Sequence, residues 1–143
     1  MAIDPGPERS AWCTYDISFN PTRISAGILP NEDVKNLVAC MEDATLVVEG
    51  IASYGMPVGA EVFETCIWIG RFIESHLGMY RLIYRKDVKM HLCGSMRAND
   101  AAIRQRLIDI FGPPGTKKNP GKLYGISKDM WSALALAVTA AET

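Results

Sequence analysis

Three carboxylates in this sequence stand where an acid is hard to explain by folding alone. Glu49 lies near the end of TLVVEGI, residues 45–51, a run that is β-branched and apolar on both faces, as a strand covered on both sides reads. An ionised Glu buried there costs several kcal/mol, on the order of effective desolvation penalties, so it must be paired, protonated or bound to a cation. The sequence nearby offers no partner, the closest basic residues along the chain being Lys35 and Arg71. Asp4 ends a first strand and enters the turn Asp4-Pro5-Gly6-Pro7, where an Asp is also ordinary turn chemistry. Asp129 falls in the first turn of the last helix, two residues after Ser127, where it would also favour the helix dipole. In an open α/β sheet, ligands bind at the ends of adjacent strands. Asp4 and Glu49 therefore converge if their strands are neighbours, and a helix packed nearby brings in Asp129. Three such carboxylates suit Mg²⁺ or Mn²⁺, hard ions that take oxygen ligands. An arginine capping Glu49, or an Asp129 pointing to the opposite face, would overturn that reading.

The elements that must position these acids are legible in outline. Residues 1–4, 10–15 and 23–29 read as three strands at the spacing of a meander. A helix follows, capped by Asn31 or Asp33, with Val34, Leu37, Val38 and Met41 on one stripe. After the strand at residues 45–51 and a glycine-rich loop at 52–60, residues 61–77 form a helix apolar nearly all round. Residues 82–84 and 88–93 read as strands and residues 99–111 as a helix, with Ile103, Leu107 and Ile110 inward and Arg104 and Arg106 outward. A long basic loop, residues 112–125, leads to a final helix over 128–141, capped by Ser127. Strands first, then strands alternating with helices, predict one α/β domain over residues 1–143, a mixed sheet with helices on both faces.

Composition narrows the function classes. The chain has 143 residues, 48% hydrophobic and 22% charged, typical of a globular domain that needs no metal or disulfide to fold. Its longest apolar stretch, residues 130–141, is far short of the ~20 residues of a membrane span. The start, with Asp4, Pro5 and Pro7, does not resemble a secretory signal, so a cytoplasmic location is expected. Cys13, Cys40, Cys66 and Cys93 form no C-x-x-C pair and read as reduced core thiols. His76 and His91 have no partners at a zinc-type spacing. The net charge of -1 hides an asymmetry: four basic against eleven acidic residues up to Ser75, eleven basic against five acidic beyond it. The second half could therefore face a polyanion, or the two halves could simply neutralise each other. Arg97, Arg104, Lys117, Lys118 and Lys122 are candidates to neutralise phosphates, or else solvated surface. Tyr54, in the loop after Glu49, is a candidate to stack on an exposed base or simply to pack over the loop. Gly55 and Gly59 belong to no P-loop, because the Gly-Lys-Ser/Thr element is absent.

At these residues a resemblance emerges. A first strand running into AIDPGPERSAW, the acid in VVEGI after one intervening helix, the segment VKMHLCGSMRANDAAIRQRL and a last helix opening KDMWSALALAV together resemble the RuvC-like Holliday junction resolvases of the ribonuclease-H-like superfamily, particularly the small bacteriophage versions. The likeness runs over nearly the whole chain. It implies a five-stranded ribonuclease-H-like sheet, with the family's acids falling on Asp4, Glu49 and Asp129 as catalytic metal ligands. It implies two Mg²⁺ or Mn²⁺ ions, Asp4 bridging them, and hydrolysis of DNA at branched junctions. Gly94, Arg97 and Ala98 match positions that the resemblance places beside the DNA backbone. Ser132 departs from the pattern, standing where the family commonly has a further acid, so the second ion would be held more weakly. The first strand, with three residues before Asp4, would be prone to fray.

A homodimer is also expected. A junction has two symmetric strands to cut and a chain of this size carries one site, so paired cleavage needs two copies about a two-fold axis. The 61–77 helix is the expected interface, because Phe63, Trp68 and Phe72 cannot all face one sheet. Two other readings stay open: a ribonuclease or flap nuclease of the same fold, and a nucleic-acid-binding protein with weak or lost catalysis.

Overall fold

The computed structural model describes residues 1–19 and 22–143. In chain order its elements are β1 (Ala2–Asp4), β2 (Arg9–Asp16), β3 (Arg23–Pro30), α1 (Asn31–Ala39), β4 (Leu46–Gly50), α2 (Ala60–Ser75), β5 (Tyr80–Tyr84), α3 (Arg85–Cys93), α4 (Asp100–Phe111) and α5 (Met130–Glu142). The strands form one mixed sheet in the order β3-β2-β1-β4-β5, antiparallel across the opening meander and parallel from β1 through β4 to β5. This is the α/β architecture predicted above.

Successive strand residues point to opposite faces, so the sheet divides the core in two. Ile3, Leu46 and Val48 pack with Val34 and Val38 of α1 and Ile69 and Phe72 of α2. Ala2, Ala11, Cys13 and Val47 face the other way, against Val88 and Leu92 of α3, Ile103 and Leu107 of α4 and the apolar body of α5. Helix α5 lies over the middle of the sheet, which is why residues 133–139 are all buried.

β1 does not fray. It is paired on both sides, its Ala2 and Ile3 are buried, and the Met1 backbone nitrogen donates to the Thr45 carbonyl at 2.8 Å. The turn after it is tied from a distance by Asn31. That side chain is buried, accepts from the Ser10 hydroxyl at 2.6 Å and donates to the Gly6 carbonyl at 2.9 Å. Asn31 is thus the first residue of α1 rather than its cap, and Pro30 stands at the cap position without a side-chain bond. Gly6 is required here because a Cβ would strike the Arg9 carbonyl.

Three further expectations are corrected. Residues 88–93 are helical, not a strand: VKMHLC alternates apolar and polar residues, but Val88 and Leu92 also share one helix face, and so short a run satisfies either period. Gly94, at φ 67, ends that helix with its N–H on the Met90 carbonyl, a stop signal visible in the sequence. Of the four cysteines only Cys13 is a core thiol; Cys40 and Cys66 are exposed and Cys93 is half-buried. Ile110 is 38% exposed, outside the inward stripe of Ile103 and Leu107.

Candidate active site

The parallel register decides where two of the acids meet. Ala2 pairs with Val47 and Ile3 with Val48, so one step further Asp4 comes beside Glu49, on strands ~4.8 Å apart. Both alternate with residues that face α5 (Ala2 and Val47), so both side chains leave the sheet on that face. Asp129 is the residue at which α5 begins. It is exposed and makes no side-chain cap bond, so capping does not account for it. Helix α5 starts at Met130, two residues later than expected, and Ser127 opens the preceding turn instead of capping the helix. Lys128 enters it at φ 48, a left-handed conformation uncommon outside glycine.

The electrostatics show that these groups sense one another. Burial, then the charge of Asp129, push Asp4 up to about 6, against the opposing pull of Arg85 and the Ser132 hydroxyl. Glu49 is pushed up to about 7 by burial and by Asp4, with Arg85 and Lys89 opposing. Asp100, at the start of α4, raises both. Glu49 Oε2 is buried without a hydrogen-bond partner.

Sequence reasoning missed Arg85. This first residue of α3 places Nη1 3.7 Å from Glu49 Oε2, correcting the expectation that no cation faces Glu49. The contact is an ion pair but too long for a hydrogen bond, and Nη1 is itself buried without a partner. Nη2 instead engages the exposed carboxylate of Asp100. Arg85 therefore stands beside Glu49 without capping it. The only sequence signal for this was the end of β5 at Tyr84, which pairs with Gly50 and so brings the next residue alongside the end of β4.

The donor set fits a hard divalent ion in kind. It is all oxygen, with an orphaned carboxylate oxygen on Glu49 and a second carboxyl on Asp4 held up by burial and by the charge of Asp129. Among the described residues, however, no group of three or more Asp, Glu, His or Cys side chains is gathered into a ready-made metal shell.

The basic candidates are spread more widely. Arg104 is exposed and lies over the Trp131 ring, 4.8 Å from its centroid, on the wall of a cleft of about 500 Å³ that also includes Arg85, Lys128, Asp129 and Ser132. Lys117 and Lys118 stand at the exposed tip of a tight turn closed by paired backbone bonds between Thr116 and Asn119, and Lys122 is exposed nearby. Arg97 is exposed in the turn between α3 and α4. Tyr54 is 65% exposed at φ 50, with Lys86 of α3 5.8 Å from its ring centroid. A larger hollow of about 1240 Å³, lined by Met1, Tyr15, Arg81 and Ala140 among others, contains none of these candidates.

The mixed sheet in this strand order, covered by helices on both faces, is a ribonuclease-H-like fold of the RuvC type. No protein-family model matches the sequence, and no curated protein matches it significantly. Among solved structures it is similar to Thermus thermophilus RuvC at 16% identity, with a TM-score of 0.72 over 98% of this chain and 91% of that one. It is likewise similar to T. thermophilus RuvC in complex with Holliday junction substrate, at 14% identity and a TM-score of 0.73, over 98% of this chain and 90% of that one. At such identities the likeness establishes the fold.

Proposed function

We propose that the protein is a metal-dependent, structure-selective DNA endonuclease acting at Holliday or other branched junctions. The observation that carries this reading is the placement of Asp4 and Glu49 side by side at the strand ends with Asp129 close enough to perturb Asp4, on the fold of a resolvase described with its junction substrate. Asp4, Glu49 and Asp129 would hold Mg²⁺ or Mn²⁺. Bound there, a divalent metal supplies a hydroxide near neutral pH and steadies the departing oxygen. In the hydrolysis, the water oxygen bonds to phosphorus and the P–O3′ bond breaks, leaving a 5′-phosphate and a 3′-hydroxyl. Ser132, whose hydroxyl draws the Asp4 carboxyl down against burial, would help to keep that carboxylate oriented.

Tyr54, exposed and held in an uncommon backbone conformation, offers an aromatic face to an unstacked base at the branch point. Arg97, Arg104, Lys117, Lys118 and Lys122 track the phosphates. Two copies of the single 1–143 domain pair through α2, whose outward stripe of Phe63, Cys66, Ile67 and Gly70 is exposed. Among the described residues no helix is long and apolar enough to cross a membrane, and a DNA substrate of this kind belongs to a bacterial or phage-infected cytoplasm. A second reading, a DNA-binding protein with weak catalysis, is favoured by Arg85 and Ser132.

A cleavage panel of four-way junctions, flaps, linear duplexes and RNA/DNA hybrids, with Mg²⁺ and with chelator, tests the proposal. Mg²⁺-dependent incision preferring the four-way junction is expected. Binding without incision in any metal would support the second reading, and cleavage confined to hybrids or flaps would move the activity elsewhere in the superfamily.

A further inference from the structure

We infer that the Arg85 guanidinium acts as the second cation of the site, so that one divalent ion, held by Asp4 and Asp129, works with Arg85 across the scissile phosphate. The inference rests on the nuclease reading and revises one role in it, Glu49 serving Arg85 instead of holding a metal. Two buried atoms face each other without hydrogen-bond partners, Arg85 Nη1 and Glu49 Oε2, 3.7 Å apart. Buried polar groups are ordinarily paired, so an unused N–H at a site of this kind is a donor held in reserve. With Nη2 held by Asp100, Nη1 offers a phosphate oxygen a charge-assisted N–H.

Arg85 is also well placed to stay there. It follows β5 with no intervening loop, and Asp100 secures its other nitrogen from the side facing solvent. A metal ion on Glu49 Oε2 would bind at ~2.1 Å. It would then stand within ~6 Å of a fixed positive charge at a half-buried position, where like charges are poorly screened. Donors are scarce as well, since no three ligating side chains are gathered among the described residues and Ser132 brings a hydroxyl beside Asp4. Arg85 thus contributes the charge that a second ion would contribute, and Glu49 orients it.

The test counts ions and reads rates separately. Mn²⁺ bound per protomer is measured by electron paramagnetic resonance, with the protein alone and with a four-way junction. Single-turnover cleavage of that junction is followed against Mg²⁺ concentration. One Mn²⁺ per protomer and a first-order dependence on Mg²⁺ are expected. Arg85→Gln should slow cleavage ~10²–10³-fold, as loss of one transition-state donor does, while still binding one Mn²⁺ at equal or higher affinity. Arg85→Lys, which keeps the charge but not the Nη1 donor held in place by Asp100 on Nη2, should recover part of that loss. Two Mn²⁺ per protomer in the junction complex, or Arg85→Gln cleaving within about threefold of wild type, overturns the inference and leaves the nuclease reading intact. Should Arg85→Gln not fold, the wild-type ion count and Arg85→Lys still decide. A wild-type protein that neither binds Mn²⁺ nor cuts any branched DNA overturns both.

Discussion

At Asp4 and Glu49, ligand chemistry and stability pull in opposite directions. Their carboxyls, pushed up to about 6 and about 7, keep protons in the folded chain that the unfolded chain has already released. The native state therefore binds more protons than the unfolded state between the ordinary carboxylate range and pH 7. Stability from this pair is fully present at low pH and is lost as pH rises through 6 and 7. The melting temperature of metal-free protein should fall over that interval, and Mn²⁺ should raise it most at the alkaline end, where Asp4 and the neighbouring Glu49 are both ionised. A metal-free profile that rises instead would contradict the burial of these groups. Asp4→Asn should lower cleavage by at least ~10²-fold, more than loss of an outer partner costs, while leaving junction affinity equal or higher because a negative charge beside phosphate is gone. Cleavage and gel-shift assays on the same preparation separate the two effects. Glu49 was legible in the sequence because an acid in an apolar strand contradicts its surroundings. Arg85 was not, since what brings it to Glu49 is the pairing of β4 with β5 across the whole length of α2, and nothing local to either residue encodes it.

Among the elements, the three-residue strand β1 depends most on its supports. The Asn31 side chain holds the turn that follows Asp4, and its removal would leave the Ser10 hydroxyl and the Gly6 carbonyl buried without their partner. Asn31→Ala should cost about 1–3 kcal/mol in urea denaturation. It should also reduce cleavage beyond what the remaining folded fraction predicts, because Asp4 loses its fixed exit from the sheet; an equal loss of both would make Asn31 purely structural. Turn spacing made the meander readable, a β-branched run apolar on both faces made β4 so, apolar stripes showed α1 and α4, and a nearly complete apolar ring showed α2. Helix α3 was misread because two buried residues four apart satisfy both periods, and Asn31 was taken for a helix cap because its real partners lie 21 and 25 positions upstream. The tight turn that lifts Lys117 and Lys118 was read only as a basic loop, its closure depending on backbone bonds and on a Gly121 with no room for a side chain.

For the whole molecule, the uneven charge and the bare stripe on α2 make separate predictions. Lys117→Ala with Lys118→Ala should weaken binding to all sequences alike and lower the salt slope by roughly 0.9 for each phosphate no longer neutralised; an unchanged slope assigns both to solvent. Light scattering should give about twice 15.7 kDa at micromolar concentration. Ile67→Glu, on the exposed face of α2, should give a folded monomer that nicks junctions without paired cleavage, whereas Trp68→Glu would disturb the core as well, since Trp68 packs on Phe72. A wild-type monomer that makes both cuts in one binding event would remove the dimer. The sheet order also sets a timetable. Strands β1, β2 and β3 are chain neighbours and can zip early, but the parallel pairing of β1 with β4 must wait for a segment more than forty residues away, and the closure of so long a loop precedes any reward from that pairing. Asp129 arrives later still. A chain emerging from the ribosome therefore has a meander long before it has Asp4, Glu49 and Asp129 together, so that on the proposed nuclease reading partly made copies cannot damage the nucleic acid around them.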